Sequence, residues 1–272
     1  MFTWISIRKT KEKVNLDSKL SHNLLALMIY DIEGTTTSVR FVSDVLFPYI
    51  RTHLRKYLNE CWGQPELAMT VDRLRDQTRT DQENGAKIPR ILDNDEADED
   101  QVRRSIIANI LWQMDEKKNN AALKQLQILV WVYGYEKQHI KGHVFDDVPP
   151  ALHQWKRELN IKLYLYSTGM IVVQQLLFSC STHGNLLPLL DDYFDVLLGS
   201  KRDYRSFKKI AALLDDPESQ ILFLTDNSKE ARAAIQAGCK ALLVKRPGNK
   251  PLTETEVNEF RVISSFSDII ID

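Results

Sequence analysis

One stretch constrains this chain more than any other: Leu24 to Thr37, LLALMIYDIEGTTT. An unbroken apolar run from Leu24 to Tyr30 is closed by Asp31. Glu33 follows after one residue, then Gly34 and the threonines 35 to 37. An apolar run of strand length with a turn signal behind it reads as a strand buried on both faces, as in a parallel sheet. Such sheets bind ligands beyond the carboxyl ends of their strands. Acids, a glycine and hydroxyls therefore stand where chemistry is done. Two carboxylates so close repel each other, and a bound divalent cation removes that objection.

Downstream the pattern changes to helix for about a hundred residues, an estimate from apolar spacing. Phe41 to Trp62 carries apolar residues at helical spacing, and Pro65 to Gln77 reads as a second helix. A polar, acidic loop follows, including the solvated run Asp93 to Asp100. A third helix carries the stripe Val102, Ile106, Ile107, Ile110, Leu111 and Met114. A fourth covers Ala121 to Tyr135, with Trp131, Tyr133 and Tyr135 as its core residues. Val148-Pro149-Pro150 marks the exit, because residues before proline leave the helical region.

From Ala151 helices and strands alternate. Helices are expected at 151–159, 172–178, 206–214 and 229–237, the last stopped by Gly238. Strands are expected at Ile161–Tyr166, Asp195–Leu198, Ile221–Leu224 and Ala241–Val244. That alternation argues for an α/β fold, a Rossmann-like parallel sheet with helices on both faces and an inserted all-helical cap. The expected division is an extension at 1–23, disordered or loosely attached, a core at 24–40 and 146–272, and a cap at 41–145.

Composition removes whole classes. The formal net charge is −1, so nothing draws the chain to nucleic acid or an anionic membrane. No apolar run approaches the ~20 residues that span a bilayer. The cysteines 61, 180 and 239 form no C-x-x-C pair, which reads as free thiols in a reducing compartment. No P-loop motif occurs. The histidines read as structural or surface groups; His143, beside Gly142, is the one placed to approach a site.

Four predicted strands end in polar groups: Asp31/Glu33, Ser167/Thr168, Lys201 and Asp226/Asn227. Taken singly, an Asp after a strand is a helix cap, a Ser-Thr-Gly is a turn, and a Lys is solvated. Together they suit phosphoryl transfer, which needs a nucleophile, a cation and donors for phosphate oxygens. Asp31 can attack phosphorus and form an aspartyl-phosphate. Glu33 can protonate the leaving oxygen and then activate water. Ser167 or Thr168 can hydrogen-bond the phosphate, and Lys201 supplies a positive charge. Asp226 completes an octahedral oxygen shell for Mg²⁺, and Asn227 orients it.

Asp31-x-Glu33-Gly34-Thr35, Ser167-Thr168-Gly169, Gly199-Ser200-Lys201 and Leu224-Thr225-Asp226-Asn227 resemble, in order, the four motifs of the haloacid dehalogenase-like phosphatases. Glu33 where most of that superfamily has Asp, followed by Gly-Thr-Thr, resembles the enolase-phosphatases of methionine salvage, also called acireductone synthases. Matches at Asp147 to Leu152, Gln174 to Phe178, Glu230-Ala231 and Arg246-Pro247-Gly248-Asn249 extend the likeness from Ala26 to Asp272.

The resemblance implies one Mg²⁺ per subunit, with Asp31, Glu33 and Asp226 at the metal and Ser167, Thr168 and Lys201 at the substrate. It implies a helical cap that closes over the site. It implies a monomer of cytoplasm and nucleus acting on a small phosphate ester, with neither nucleic acid nor membrane as partner. The implied reaction enolises 2,3-diketo-5-methylthiopentyl-1-phosphate and removes its phosphate. The alternatives are a generic small-metabolite phosphatase and an inactive binding protein of the same fold. Thr168, where the family has Ser, Met170, where it has a small polar residue, and Asp203-Tyr204 behind Lys201 depart from the pattern.

Overall fold

The computed structural model describes residues 25–271, together with the backbone of Ile5–Lys9 (β1) and Glu12–Asn15 (β2). Most of the expected 1–23 extension lies outside the described residues. Within it β1 and β2 pair antiparallel, and β1 also pairs with Ile269–Ile271 (β9).

The chain divides into two compact units, one of residues 1–41 and 141–272 and one of Val42–Ile140. The sequence-based boundary lay at 145. Residues 141–145 belong to the first unit because their backbone bonds there: Gly142 N–H donates to Cys180 O at 2.8 Å and Phe145 N–H to Thr36 O at 3.0 Å.

The first unit is built on a six-stranded parallel sheet. Leu27–Tyr30 (β3) lies between Lys162–Tyr166 (β4) and Ile221–Thr225 (β6). Asp192–Phe194 (β5) flanks β4, and Lys240–Val244 (β7) and Val262–Ile263 (β8) extend the other side, all parallel. Leu27 to Tyr30 are fully buried, as an apolar run without alternation requires. Each such side chain contributes about 1.5–3 kcal/mol of transfer energy. Tyr204–Leu214 (α7) and Ser228–Ala237 (α8) pack there, with Phe207 edge-on to Phe223 at 5.0 Å and to Tyr166 at 5.9 Å.

Three differences from the sequence reading stand out. The strand expected at 195–198 is a turn, and the pairing strand is Asp192–Phe194. Asp195 accepts Leu197 N–H at 2.9 Å and Leu198 N–H closes back on the Asp195 carbonyl, so the apolar Val196-Leu197 points outward, with Leu197 91% exposed. The C-terminal elements Glu254–Glu259 (α9), β8 and β9 had no strong periodic signal. The helix expected at 151–159 begins earlier, as Val148–His153 (α5) with prolines in its first turn, while Ile171–Ser179 (α6) fills the expected helix between β4 and β5.

The second unit is all helical. A wide turn at Val42–Leu46 runs into Phe47–Glu60 (α1), followed by Pro65–Glu83 (α2), Glu99–Asp115 (α3) and Ala121–Glu136 (α4). Helix α2 outruns its expected end at Gln77, held by Gln77 Nε2 donating to Asp81 one turn on, at 2.8 Å. A capping box of Asp98 and Gln101 starts α3 out of the acidic run. A buried chain of amides runs from Thr78 through Asn109 and Gln113 to Asn120, with bonds of 2.7 to 2.9 Å. Among the described residues no helix is long and apolar enough to cross a membrane.

Candidate active site

Three adjacent strand tips deliver the chemistry. Beyond the end of β3, Asp31 N–H still bonds Leu224 O of β6 at 2.9 Å, and beyond β4 Ser167 N–H bonds Phe194 O at 3.1 Å. The ladders thus carry Asp31 and Ser167 one residue past their strands with little freedom.

Asp31, only 6% exposed, is the centre. Lys201 Nζ stands 2.6 Å from its Oδ1, and the next backbone N–H, Ile32, donates to the same oxygen at 2.8 Å. Its Oδ2 accepts one long hydrogen bond among the described residues, from the Thr225 hydroxyl at 3.5 Å. Lys201 also reaches Glu230 Oε2 at 3.1 Å, and the Thr225 hydroxyl donates there at 3.0 Å.

The Lys201 loop has its own fastening. Tyr166 OH donates to Gly199 O at 2.9 Å, and Asp203 caps α7 by accepting Arg205 N–H at 2.9 Å. Gly199 has φ +152°, and a side chain there would collide with Ser206 Oγ. Gly34 is required twice over. Its φ is +74°, and a β-carbon there would come 2.7 Å from the Asp226 carboxyl carbon. Asp226 is therefore laid directly over the loop that follows Asp31.

Of the sequence-predicted residues, Asp31, Lys201 and Asp226 come together, and the charges of Asp31 and Lys201 act on Glu33. Ser167 is buried at the adjacent strand tip, its Oγ accepting Gly169 N–H at 3.2 Å; Thr168 is exposed. Asn227 caps α8 by accepting Lys229 N–H at 3.0 Å. His143 Nδ1 meets the Thr37 hydroxyl at 2.9 Å and Ser38 N–H at 3.2 Å, a fastening of the chain behind the loop. Sequence reasoning gave Glu230 no role. Its signal was its place four residues after Asp226 in the first turn of α8, which turns both toward the same strand tip.

A hydrolase family model, haloacid dehalogenase-like hydrolase, matches residues 25–238. The enolase-phosphatase E1 of Danio rerio is 40% identical over 245 residues, covering 89% of this chain and 94% of that one. The chain belongs to the enolase-phosphatase family of haloacid dehalogenase-like hydrolases. A probable bifunctional methylthioribulose-1-phosphate dehydratase/enolase-phosphatase E1 of Oryza sativa subsp. indica is 40% identical over 93% of this chain and 48% of its own length. The solved UTR4 protein of Saccharomyces cerevisiae superposes with a TM-score of 0.69 at 27% identity, covering 89% of this chain and 98% of that one.

In this enolase-phosphatase chain the site electrostatics are lopsided: four carboxyls, of Asp31, Glu33, Asp226 and Glu230, face one ammonium. Burial alone would lower the Lys201 pKa, but the charges and hydrogen bonds of Asp31 and Glu230 outweigh it and keep the amine protonated above its ordinary value. Burial, then the charges of Asp31 and Glu230, push Asp226 up to about 7. Burial and the Asp31 charge likewise raise Glu230, and they raise Glu33 although its residue surface is open to solvent.

That excess of negative charge, with oxygen as every donor, fits a hard divalent cation. Main-chain oxygen adds to the fit. The carbonyls of Asp31, Ile32, Gly34, Thr35, Thr36 and Thr37 all accept hydrogen bonds; among the described residues the Glu33 carbonyl receives none. No three acidic, histidine or cysteine side chains form a cage among the described residues. Two carboxylates plus a carbonyl, completed by water, is the kind of shell Mg²⁺ takes.

Proposed function

We propose that the chain enolises 2,3-diketo-5-methylthiopentyl-1-phosphate and hydrolyses its phosphate, with Mg²⁺ held by Asp31, Asp226 and the Glu33 carbonyl. The observation that carries this reading is the buried Asp31–Lys201 pair with Asp226 across Gly34, in a chain 40% identical to enolase-phosphatases along most of its length. The cation would screen the carboxylates and polarise the phosphate oxygens.

Asp31 Oδ2 attacks phosphorus while the bond to the substrate oxygen breaks. Glu33, whose carboxyl pKa is raised by burial and then by the Asp31 charge, gives that oxygen a proton. Glu33 then takes a proton from water, which attacks phosphorus, breaks the aspartyl-phosphate bond and restores Asp31. Lys201 holds Asp31 in position and balances the phosphate charge, and Ser167 hydrogen-bonds a phosphate oxygen. Thr168 contributes its backbone and hydroxyl from the exposed lip of the same loop. For the enolisation, Lys201 is the cation available to the enediolate, and Glu33 is assigned the proton movement. The same reading carries the family expectation of a monomer in cytoplasm and nucleus.

Phosphate release from the diketo ester with Mg²⁺, followed together with the ultraviolet absorbance of an enol, tests it. An enol transient preceding phosphate supports both steps. Release from unrelated monoesters with no enol signal makes the chain a general phosphatase, and silence in both assays makes it an inactive relative.

A further inference from the structure

Arg246-Pro247-Gly248-Asn249 lies far from Asp31 along the chain, yet it grips the same loop. Asn249 Nδ2 donates to Gly34 O at 2.8 Å and to Val244 O at 3.3 Å. Arg246 Nε donates to Thr35 O at 2.9 Å. The two peptide units that follow Glu33 are thus each held by a side chain from the end of β7. Arg246 is itself anchored: its Nη1 donates to Asp147 Oδ1 at 2.9 Å and Ser264 O at 3.1 Å. Its guanidinium lies 4.5 Å from the Phe145 ring centre and 5.1 Å from that of Phe266.

Asn249 carries a second peculiarity. Its Oδ1 is buried and has no partner among the described residues. Turning the amide over would not help, since it would aim an oxygen at the carbonyls of Gly34 and Val244. The orphaned oxygen lies on the Asp226 side of the loop: a β-carbon built on Gly34 would touch both the Asp226 carboxyl and Asn249 Oδ1, the latter at 3.1 Å. A buried acceptor left empty is a standing cost. A water in the shell of a cation at Asp226 would fill it with an O–H donor.

We infer that Asn249, backed by Arg246, is the positioning residue for the cation: its N–H groups hold the Gly34 peptide so that the Glu33 carbonyl stays free as a ligand, and its Oδ1 accepts from a water of the cation's shell. The inference rests on the Mg²⁺ reading of the site. It concerns residues that touch neither phosphate nor the reacting atoms, and it gives the Arg-Pro-Gly-Asn turn a function in metal retention rather than in fold alone.

The test is calorimetric titration of the full-length protein with Mg²⁺ in the absence of substrate, for wild type, Asn249→Ala and Asn249→Ser, with melting temperatures taken without metal. Outer-shell changes of this kind weaken metal binding by about 10–100-fold. Asn249→Ala is expected to weaken Mg²⁺ at least tenfold, to recover most of its kcat at high Mg²⁺, and to melt close to wild type without metal. Asn249→Ser, which keeps a hydroxyl, is expected to fall between the two, and it carries the measurement if the alanine variant does not fold. Equal Mg²⁺ affinity in wild type and variants overturns the role of Asn249 while leaving the Mg²⁺ site intact. So does a kcat loss that no Mg²⁺ concentration restores, accompanied by a lower metal-free melting temperature. A wild type that binds no Mg²⁺ overturns the metal reading itself.

Discussion

Lys201 is where stability and chemistry can be separated. It faces Asp31 and Glu230 from a nearly sealed position, so Lys201→Met strands two buried carboxylates. Breaking such a pair costs about 3–5 kcal/mol. Removing the second charge as well, in Lys201→Met/Glu230→Gln, is expected to recover a large part of that loss without restoring turnover. Urea denaturation of both variants checks it, and equal destabilisation would remove Glu230 from the account. Asp31→Asn keeps shape and loses nucleophilicity, so phosphate release is expected to drop at least ~10³-fold with the fold intact. Full turnover in that variant would exclude Asp31 as nucleophile. Burial, then Glu218, pushes the Cys239 thiol up to about 12, so it is expected to resist maleimide at pH 7.5 until the chain unfolds, while the more accessible Cys180 labels first. At this scale Asp31 and Asp226 were legible because each directly follows a buried apolar strand, and Lys201 because it stands behind a Gly-Ser turn. Glu230 was not, because an acid in the first turn of a helix is usually explained by the dipole alone.

Among the elements, α7 shows how a cap holds a catalytic loop. Asp203 begins that helix two residues after Lys201, and the Arg205 side chain, then the Arg205 backbone N–H, bring its carboxyl down to about 2. A depressed carboxyl stabilises the fold above the ordinary Asp range near 4, and that contribution disappears as pH falls through about 2. Between pH 4 and 2 the wild type is therefore expected to lose melting temperature more steeply than Asp203→Asn, which still caps but does not titrate. Parallel slopes would show that the cap contributes nothing measurable. The long periodic helices and the buried central strands were readable from spacing. The edge strand β5 was not, because Asp195 ends it before the apolar Val196-Leu197 that mimics a strand. Nor were β8 and β9, whose few residues carry no period and depend on the strands they join.

For the whole molecule, the two units should answer the cation differently, since every candidate ligand lies in the first. Binding to the native state adds about 2.7 kcal/mol at a hundredfold excess over Kd. Hydrogen exchange with and without Mg²⁺ is expected to slow amides of β3, β4 and β6 and to leave those of α2, α3 and α4 near their metal-free rates. Uniform protection of both units would mean that they unfold together and that the division is one of packing only.

The insertion of Val42–Ile140 also sets a timetable for synthesis. Strand β3 leaves the ribosome before either of its sheet neighbours, so Leu27 must wait for Lys162 on one side and Ile221 on the other. At roughly 5–20 residues per second, the apolar run from Leu25 to Tyr30 spends about 10–40 s without its sheet partners. The helical unit, contiguous in the chain, can close during that wait. A nascent chain is then a folded insert tethered to one exposed hydrophobic strand, which makes that strand the place for a chaperone to bind.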